Sequence, residues 1–211
     1  SHQYTHPDDD MDTIINTCGR GGPAYKIRIF DMENADVEVP SGTVGQIGGK
    51  GACLTLGYSA NQEATQGSFN RGGWFLSGDL GFIDAKDNLV VEGRLKDLII
   101  RGGYNIYPSH IEALTVRHAE VEKAAAFPIA DERLGEKVCL AVNGDVASHA
   151  ILDHLAAEGL SKYDMPEYFI RVDDFPLTAS GKILKRDLVE MVKRGEIAPE
   201  AVRFQPKEGT D

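Results

Sequence analysis

The pattern of apolar and polar positions changes character partway along the chain. From Ala24 it has period two, with Tyr25, Ile27 and Ile29 on one side and Lys26, Arg28 and Phe30 on the other, which predicts a strand ending at Asp31. Val44 to Tyr58 predicts strands broken by Gly45, Gly48, Gly49, Gly51 and Gly57, and Trp74 to Val91 a hairpin turning at residues 84–88. After Gly93, short apolar runs alternate with helical periodicity. Ser109 and Glu112 have the spacing of a capping box and predict a helix from Ile111 to His118. Strands are expected at Val121–Phe127, Lys137–Val142 and Phe169–Val172. A helix is expected at His149–Glu158, with Ile151 and Leu155 one turn apart, and another at Ile183–Arg194, with Leu184, Leu188 and Met191 on one face. The fold class read from this pattern is α+β: a small β-rich, barrel-like first part, followed by a compact α+β domain. Residues 1–18, polar and acidic, read as a loop or frayed end.

Composition narrows the function. A chain of 211 residues allows one domain plus a piece, or two small domains. The net charge of −11 is spread over both parts and argues against general affinity for nucleic acid or an anionic membrane surface, so any phosphate binding must be local. Cys18, Cys53 and Cys139 are widely spaced with no CxxC, which disfavours a disulfide framework or a zinc site and fits a reduced, cytoplasmic setting. No apolar run has the length of a membrane span. His2 and His6 beside Asp8, Asp9 and Asp10 read as a solvated terminus. His110, His118, His149 and His154 form no HExxH or i,i+4 pair and read as surface residues.

Three segments carry candidate chemistry: Gly73 to Gly81, Gly93 to Pro108, and Pro176 to Arg186. In the first, Asp79 stands between Gly78 and Leu80-Gly81, where a sharp turn is expected. A carboxylate accepts two hydrogen bonds side by side and so matches the vicinal hydroxyls of a ribose; an Asx-turn capping the hairpin is the alternative. In the second, Gly102 and Gly103 follow the apolar run Leu98 to Ile100 and allow a tight loop with positive φ, which a type II or I′ turn explains equally well. In the third, Lys182 ends the polar turn Thr178-Ala179-Ser180-Gly181 before a helix. A mobile ammonium there can be carried into a site to bind a carboxylate and a phosphate. The Gly-Lys pair is not a Walker A loop, because Ile183 follows it; Lys185 and Arg186 read as solvated helix residues.

Together and in this order, the three segments closely resemble the later core motifs of the acyl-adenylate-forming superfamily: acyl-CoA synthetases, luciferases and peptide-synthetase adenylation domains. The resemblance runs from about Gly19 to about Leu188 and is identified with the carboxyl-terminal part of an acyl-CoA synthetase. It implies that residues 1–93 end a large adenylate-forming domain, that 94–97 form a hinge and that 98–211 form a small mobile domain. It further implies that Asp79 and Arg94 bind the ribose and phosphate region of ATP, that Lys96 is the hinge residue, that Gly102, Gly103 and Tyr104 line the CoA tunnel, and that Lys182 is the adenylation lysine. The implied reaction is ATP-dependent joining of a carboxylic acid to CoA in two halves, acyl-adenylate formation and then thioester formation. ATP, CoA and Mg²⁺ are the implied cofactors, with the phosphate loop and the Mg²⁺-binding glutamate expected upstream of this chain, so that this fragment alone is expected to be inactive. A homo-oligomer, if one forms, is expected through the missing large domain. Two alternatives stay open: an adenylation domain that loads a phosphopantetheine carrier protein, and a non-catalytic nucleotide-binding or interaction module.

Overall fold

The first strand pair lies where the sequence pattern predicts none. In the computed structural model, which describes residues 3–205, β1 (Gln3–Tyr4) pairs antiparallel with β2 (Arg20–Gly21), and the helix α1 (Met11–Asn16) lies in the connection. The expectation of a frayed end over residues 1–18 is thereby corrected from Gln3 onward. The aspartates that suggested a solvated tail are used locally instead. Asp10 caps α1 by accepting from the Thr13 N–H at 2.8 Å, and Arg20 ties Asp9 at 2.6 Å to Asn88 at 3.1 Å. Lys86 also reaches Asp10 at 3.3 Å. His6 faces Asp8 at 3.3 Å, while His2 lies outside the described residues.

Next comes a four-stranded antiparallel sheet in the order β3 (Tyr25–Phe30), β4 (Gly45–Gly51), β5 (Phe75–Ile83) and β6 (Leu89–Arg94), with α2 (Gln62–Gly67) between β4 and β5. The period-two reading of β3 holds. Ile27 and Ile29 pack with Ile47, Ile83 and Leu89, whereas Phe30 meets Trp74 at 5.7 Å between ring centroids and Arg28 lies over the same indole at 5.0 Å. The glycines of β4 do not break it; they make room for β3. A Cβ on Gly48 would fall 2.4 Å from the Phe30 ring, and one on Gly49 would fall 1.8 Å from the Tyr25 hydroxyl. The expected barrel-like end is corrected to an open sheet: among the described residues β3 and β6 do not pair, and closure requires the first and last strands to meet.

By their internal contacts the residues divide into two units, one up to Lys96 and one from Asp97. The second unit is built on β10 (Gly135–Asn143). It follows a 3₁₀ turn (Leu95–Asp97), the hairpin β7 (Ile99–Arg101) and β8 (Tyr104–Ile106), the helix α3 (Pro108–Thr115) and β9 (Lys123–Asp131). After β10 come α4 (Ser148–Ala157), β11 (Tyr168–Arg171), α5 (Lys185–Lys193) and β12 (Glu200–Ala201). Strand β10 pairs antiparallel with β9 along its length, parallel with β11 over Cys139–Val142, and at Gly135 with Arg101 of β7.

Both faces of this sheet are covered, so alternate residues of β9 and β10 enter different cores. Ala124, Ala126, Val138, Leu140 and Val142 join Ile111 and Leu114 of α3 and Ile151 and Leu155 of α4. Ala125, Phe127, Cys139 and Ala141 join Leu188 of α5, Ile170 and Phe175. Leu188 is fully buried, and truncating such a leucine to alanine costs about 2–5 kcal/mol.

The expected capping box is corrected as well. Pro108 takes the first position of α3, where its missing N–H costs nothing, and Tyr107 stands at the N-cap without a side-chain cap bond. Glu112 turns away from the helix end, accepting from the Ala126 N–H of β9 at 2.7 Å and pairing with Lys185 at 2.6 Å. Lys185 is therefore not a solvated helix residue, whereas Arg186 is 86% exposed. His154 is likewise more than a surface residue: it bonds the Leu114 carbonyl at 3.0 Å and meets the His118 ring edge-on.

Candidate active site

Asp79 lies inside β5, directly opposite Arg94 of β6, and not at a turn. Arg94 Nε donates to Asp79 Oδ1 at 3.1 Å, and the Asp79 N–H donates to Ser77 Oγ at 3.0 Å. Asp79 has a third of its side chain exposed and Arg94 about half, at 33% and 52%. The Asx-turn reading of Asp79 therefore fails, because the hairpin turn is closed by another residue. Asp84 accepts from the N–H groups of Lys86 and Asn88, each at 2.8 Å. Arg94 orients one carboxylate oxygen of Asp79, and the other has no hydrogen-bond partner among the described residues.

Lys96 is exposed, in the middle of the 3₁₀ turn. Three residues beyond it the β7–β8 hairpin begins. Arg101 pairs with Tyr104, and the two residues between them, Gly102 and Gly103, have φ of +60° and +85°. Positive φ at both central positions of a two-residue hairpin is the type I′ arrangement, for which glycine is suited. The turn is firmly tied to its own unit. Gly102 N–H donates to the Leu134 carbonyl at 2.7 Å, and Ile100 N–H donates to Glu136 Oε2 at 2.7 Å. Arg101 pairs with Glu167 at 2.5 Å, and Glu167 in turn accepts from the Val138 N–H at 3.1 Å.

The structure adds neighbours that the motif pattern does not contain. Tyr104, 47% exposed, approaches Tyr163 with ring centroids 6.1 Å apart, and Lys162 lies 5.0 Å from the Tyr163 ring. Burial pushes the Asp164 carboxyl above its ordinary range, opposed by the charge of His110 and a hydrogen bond from Tyr104. The signal in the sequence was only an aromatic residue in a polar loop, Ser161 to Asp164, which carries no chemistry until Tyr104 is placed beside it.

Lys182 sits on a second hairpin. Leu177 and Ile183 form a bridge, Thr178 N–H donates to the Lys182 carbonyl at 2.8 Å, and Lys182 N–H donates to Thr178 Oγ1 at 3.0 Å. Gly181 takes φ of +81°, and the Lys182 side chain is exposed. The roots of the two hairpins diverge. Ile99 and Ile106 anchor the glycine hairpin in the core shared with α3 and α4, whereas Ile183 anchors the lysine hairpin against the core shared with α5. The glycine hairpin is thus part of the sheet itself, with Ile99 and Ile106 in the core on one face, whereas the lysine hairpin packs against the core on the other face. No group of three or more His, Cys, Asp or Glu that could hold a metal ion occurs among the described residues, and no helix among them is long and apolar enough to cross a membrane.

Comparison with known proteins agrees with this geometry. Residues 110–182 match the AMP-binding enzyme C-terminal domain. The salicylyl-CoA synthase / salicylate adenylyltransferase of a Streptomyces species is 37% identical over 204 residues, covering 94% of this chain and 36% of that protein. The mitochondrial medium-chain acyl-CoA ligase ACSF2 of Danio rerio is 33% identical over 89% of this chain and 31% of its own length. The chain therefore spans about a third of the length of these relatives. Among solved structures, ATP-bound MatB from Rhodopseudomonas palustris superposes with a TM-score of 0.76 at 34% identity, over 84% of this chain and 36% of that one. The o-succinylbenzoate CoA synthetase MenE of Bacillus subtilis, in complex with its acyl-adenylate intermediate, gives 0.75 at 30% identity over the same shares. With the fold, the motif hairpins and the sequence agreeing, the chain corresponds to the carboxyl-terminal part of a member of the acyl-adenylate-forming superfamily.

Proposed function

We propose that this chain is part of an ATP-dependent carboxylic acid:CoA ligase, which forms an acyl-adenylate with release of pyrophosphate and then a thioester with release of AMP. The observation that supports the reading is that one small unit carries two separate motif hairpins, the Gly102-Gly103 hairpin as strands of its sheet rooted in the α3 and α4 core and the Lys182 hairpin packed against the α5 core, so that one unit can serve two half-reactions in turn. In the first, the Lys182 ammonium meets the acid's carboxylate and the α-phosphate. It offsets the charge that builds as a carboxylate oxygen attacks phosphorus and pyrophosphate leaves. Asp79, oriented by Arg94, accepts hydrogen bonds from the ribose hydroxyls. In the second, the glycine turn and Tyr104 border the path of the thiol arm, where the absence of side chains lets it pass close to backbone. Lys96 absorbs the change of backbone angles between the two.

ATP and CoA are proposed as substrates on the strength of what the relatives are named for: MatB is ATP-bound, and the Streptomyces protein is a CoA synthase and adenylyltransferase. Mg²⁺ accompanies ATP in this reading, with its carboxylate ligand on a segment outside this sequence. The three cysteines, all unpaired, support a reducing compartment such as the cytoplasm. The Danio rerio relative is named as mitochondrial, so cell fractionation is the measurement for localisation.

The test uses the full-length enzyme that carries this chain. Pyrophosphate exchange with a panel of acids measures the first half, and thioester formation from supplied acyl-adenylate measures the second. Lys182→Ala should slow exchange by roughly 10²–10³, the usual cost of one preorganised charge stabiliser, and spare the second half. Equal loss in both halves would overturn the assignment. Transfer to a phosphopantetheine carrier protein but not to CoA would turn the reading to a carrier-loading adenylation domain.

A further inference from the structure

Glu112 and Lys185 form an ion pair that the roles given above leave unused. Lys185 is the first residue of α5, where the positive end of the helix dipole repels a cation. It is nonetheless only 22% exposed, and the N-cap, Leu184, supplies no side-chain bond. A partly buried ammonium in that place requires a counter-charge, and Glu112 supplies it at 2.6 Å. Glu112 is itself pinned to the sheet by the Ala126 N–H of β9 at 2.7 Å. Burial pushes its carboxyl above the ordinary range, Lys185 opposes this, and the negative charge of Asp97 adds to it.

We propose that Glu112 is a positioning residue for Lys182: through Lys185 it fixes the root of the hairpin that carries the lysine. The proposal rests on the assignment of Lys182 to adenylation. From the turn, the second arm runs through Ile183 and Leu184 directly into Lys185, and Leu184 N–H closes the stem on the Pro176 carbonyl at 2.8 Å. Three residues span at most about 10 Å, so a shift of the root is carried to the turn with little slack. Ile183 holds one side of this stem by apolar contact, which sets distance but not direction. The charge-assisted bond to Glu112 adds direction, because its acceptor is fixed on both sides, by α3 and by β9.

The experiment again uses the full-length enzyme, with Lys182→Ala measured in parallel. Glu112→Gln keeps an acceptor for the Ala126 N–H but removes the charge, Lys185→Met removes the ammonium, and Lys185→Arg keeps it. Glu112→Gln and Lys185→Met should lower kcat for pyrophosphate exchange by roughly 10- to 100-fold, the scale of a small misplacement of a reacting group, with KM for ATP little changed. Thioester formation from supplied acyl-adenylate should persist, and Lys185→Arg should retain most of the exchange activity. Equal loss in both half-reactions, as a merely structural pair would give, overturns the proposal, and so does unchanged exchange. If Lys182→Ala slows exchange selectively while Glu112→Gln does not, the positioning role falls and the lysine assignment stands. If Lys182→Ala has no selective effect, the assignment itself falls and takes this proposal with it.

Discussion

Asp79 and Arg94 stand directly across from each other on neighbouring strands, so the aspartate's direction is set by sheet register and by one bond rather than by a flexible loop. Under the proposed function, Asp79→Ala in the full-length protein should raise KM for ATP, because a ribose contact would be lost in ground and transition state alike. An unchanged ATP dependence in steady-state assays would show that Asp79 only pairs with Arg94. A second residue-scale expectation concerns acid. The hydrogen bond from Lys137, with help from the Leu134 and Arg133 N–H groups, holds Asp131 at about 2, below its ordinary 3.8. A carboxylate lowered in this way stabilises the fold above its unfolded value and loses that contribution as the pH falls toward the folded one. Asp131→Asn should therefore flatten the pH dependence of unfolding between about pH 4 and pH 2, read by circular dichroism in urea; an unchanged slope would mean that other carboxylates govern acid unfolding.

At the scale of elements, the glycine hairpin is held by its turn geometry and by bonds to Leu134, Glu136 and Glu167. Gly103 has open space around a notional Cβ but a φ of +85°, so Gly103→Leu meets backbone strain rather than a clash within its unit. The strain should cost about 1–2 kcal/mol of stability. A loss of CoA transfer greater than this mild destabilisation explains, with pyrophosphate exchange preserved, is the expected kinetic result. Normal transfer would remove the hairpin from the thiol's path. Most elements were legible because their signals are local. Ile151 and Leu155 mark α4, Leu188 marks α5, and the alternation at residues 25–30 marks β3. What escaped was set by partners distant in sequence. Glu112 has capping-box spacing but is drawn to Ala126 and Lys185, and Asp79 sits among turn-forming glycines but is held in a strand by Arg94. The acidic start of the chain is ordered by Arg20 and Lys86, basic residues on other elements. For the same reason the three motif segments could be found by order and residue type, while the support that Tyr163, Glu167 and Lys185 give them could not.

At the scale of the whole molecule, the division between Lys96 and Asp97 falls on a single 3₁₀ turn. The φ of such a turn, near −50° to −70°, is one that proline accepts, but proline at this position also biases Leu95, in the same turn, toward extended backbone, so Lys96→Pro should restrict the backbone at the junction of the two units. In the full-length enzyme, pyrophosphate exchange should persist while thioester output falls; normal rates in both halves would mean that the backbone at Lys96 does not turn during the cycle. The burial of Cys139 between β9, β11 and α5 has a further, practical consequence. Its thiol is fully enclosed, and burial raises its pKa, whereas Cys18 and Cys53 in the other unit are exposed. A disulfide reagent should thus label two sulfurs at once and the third only when the second unit opens. The delay of that third label is a clock internal to the chain, able to time the opening of one unit without any probe being added to it.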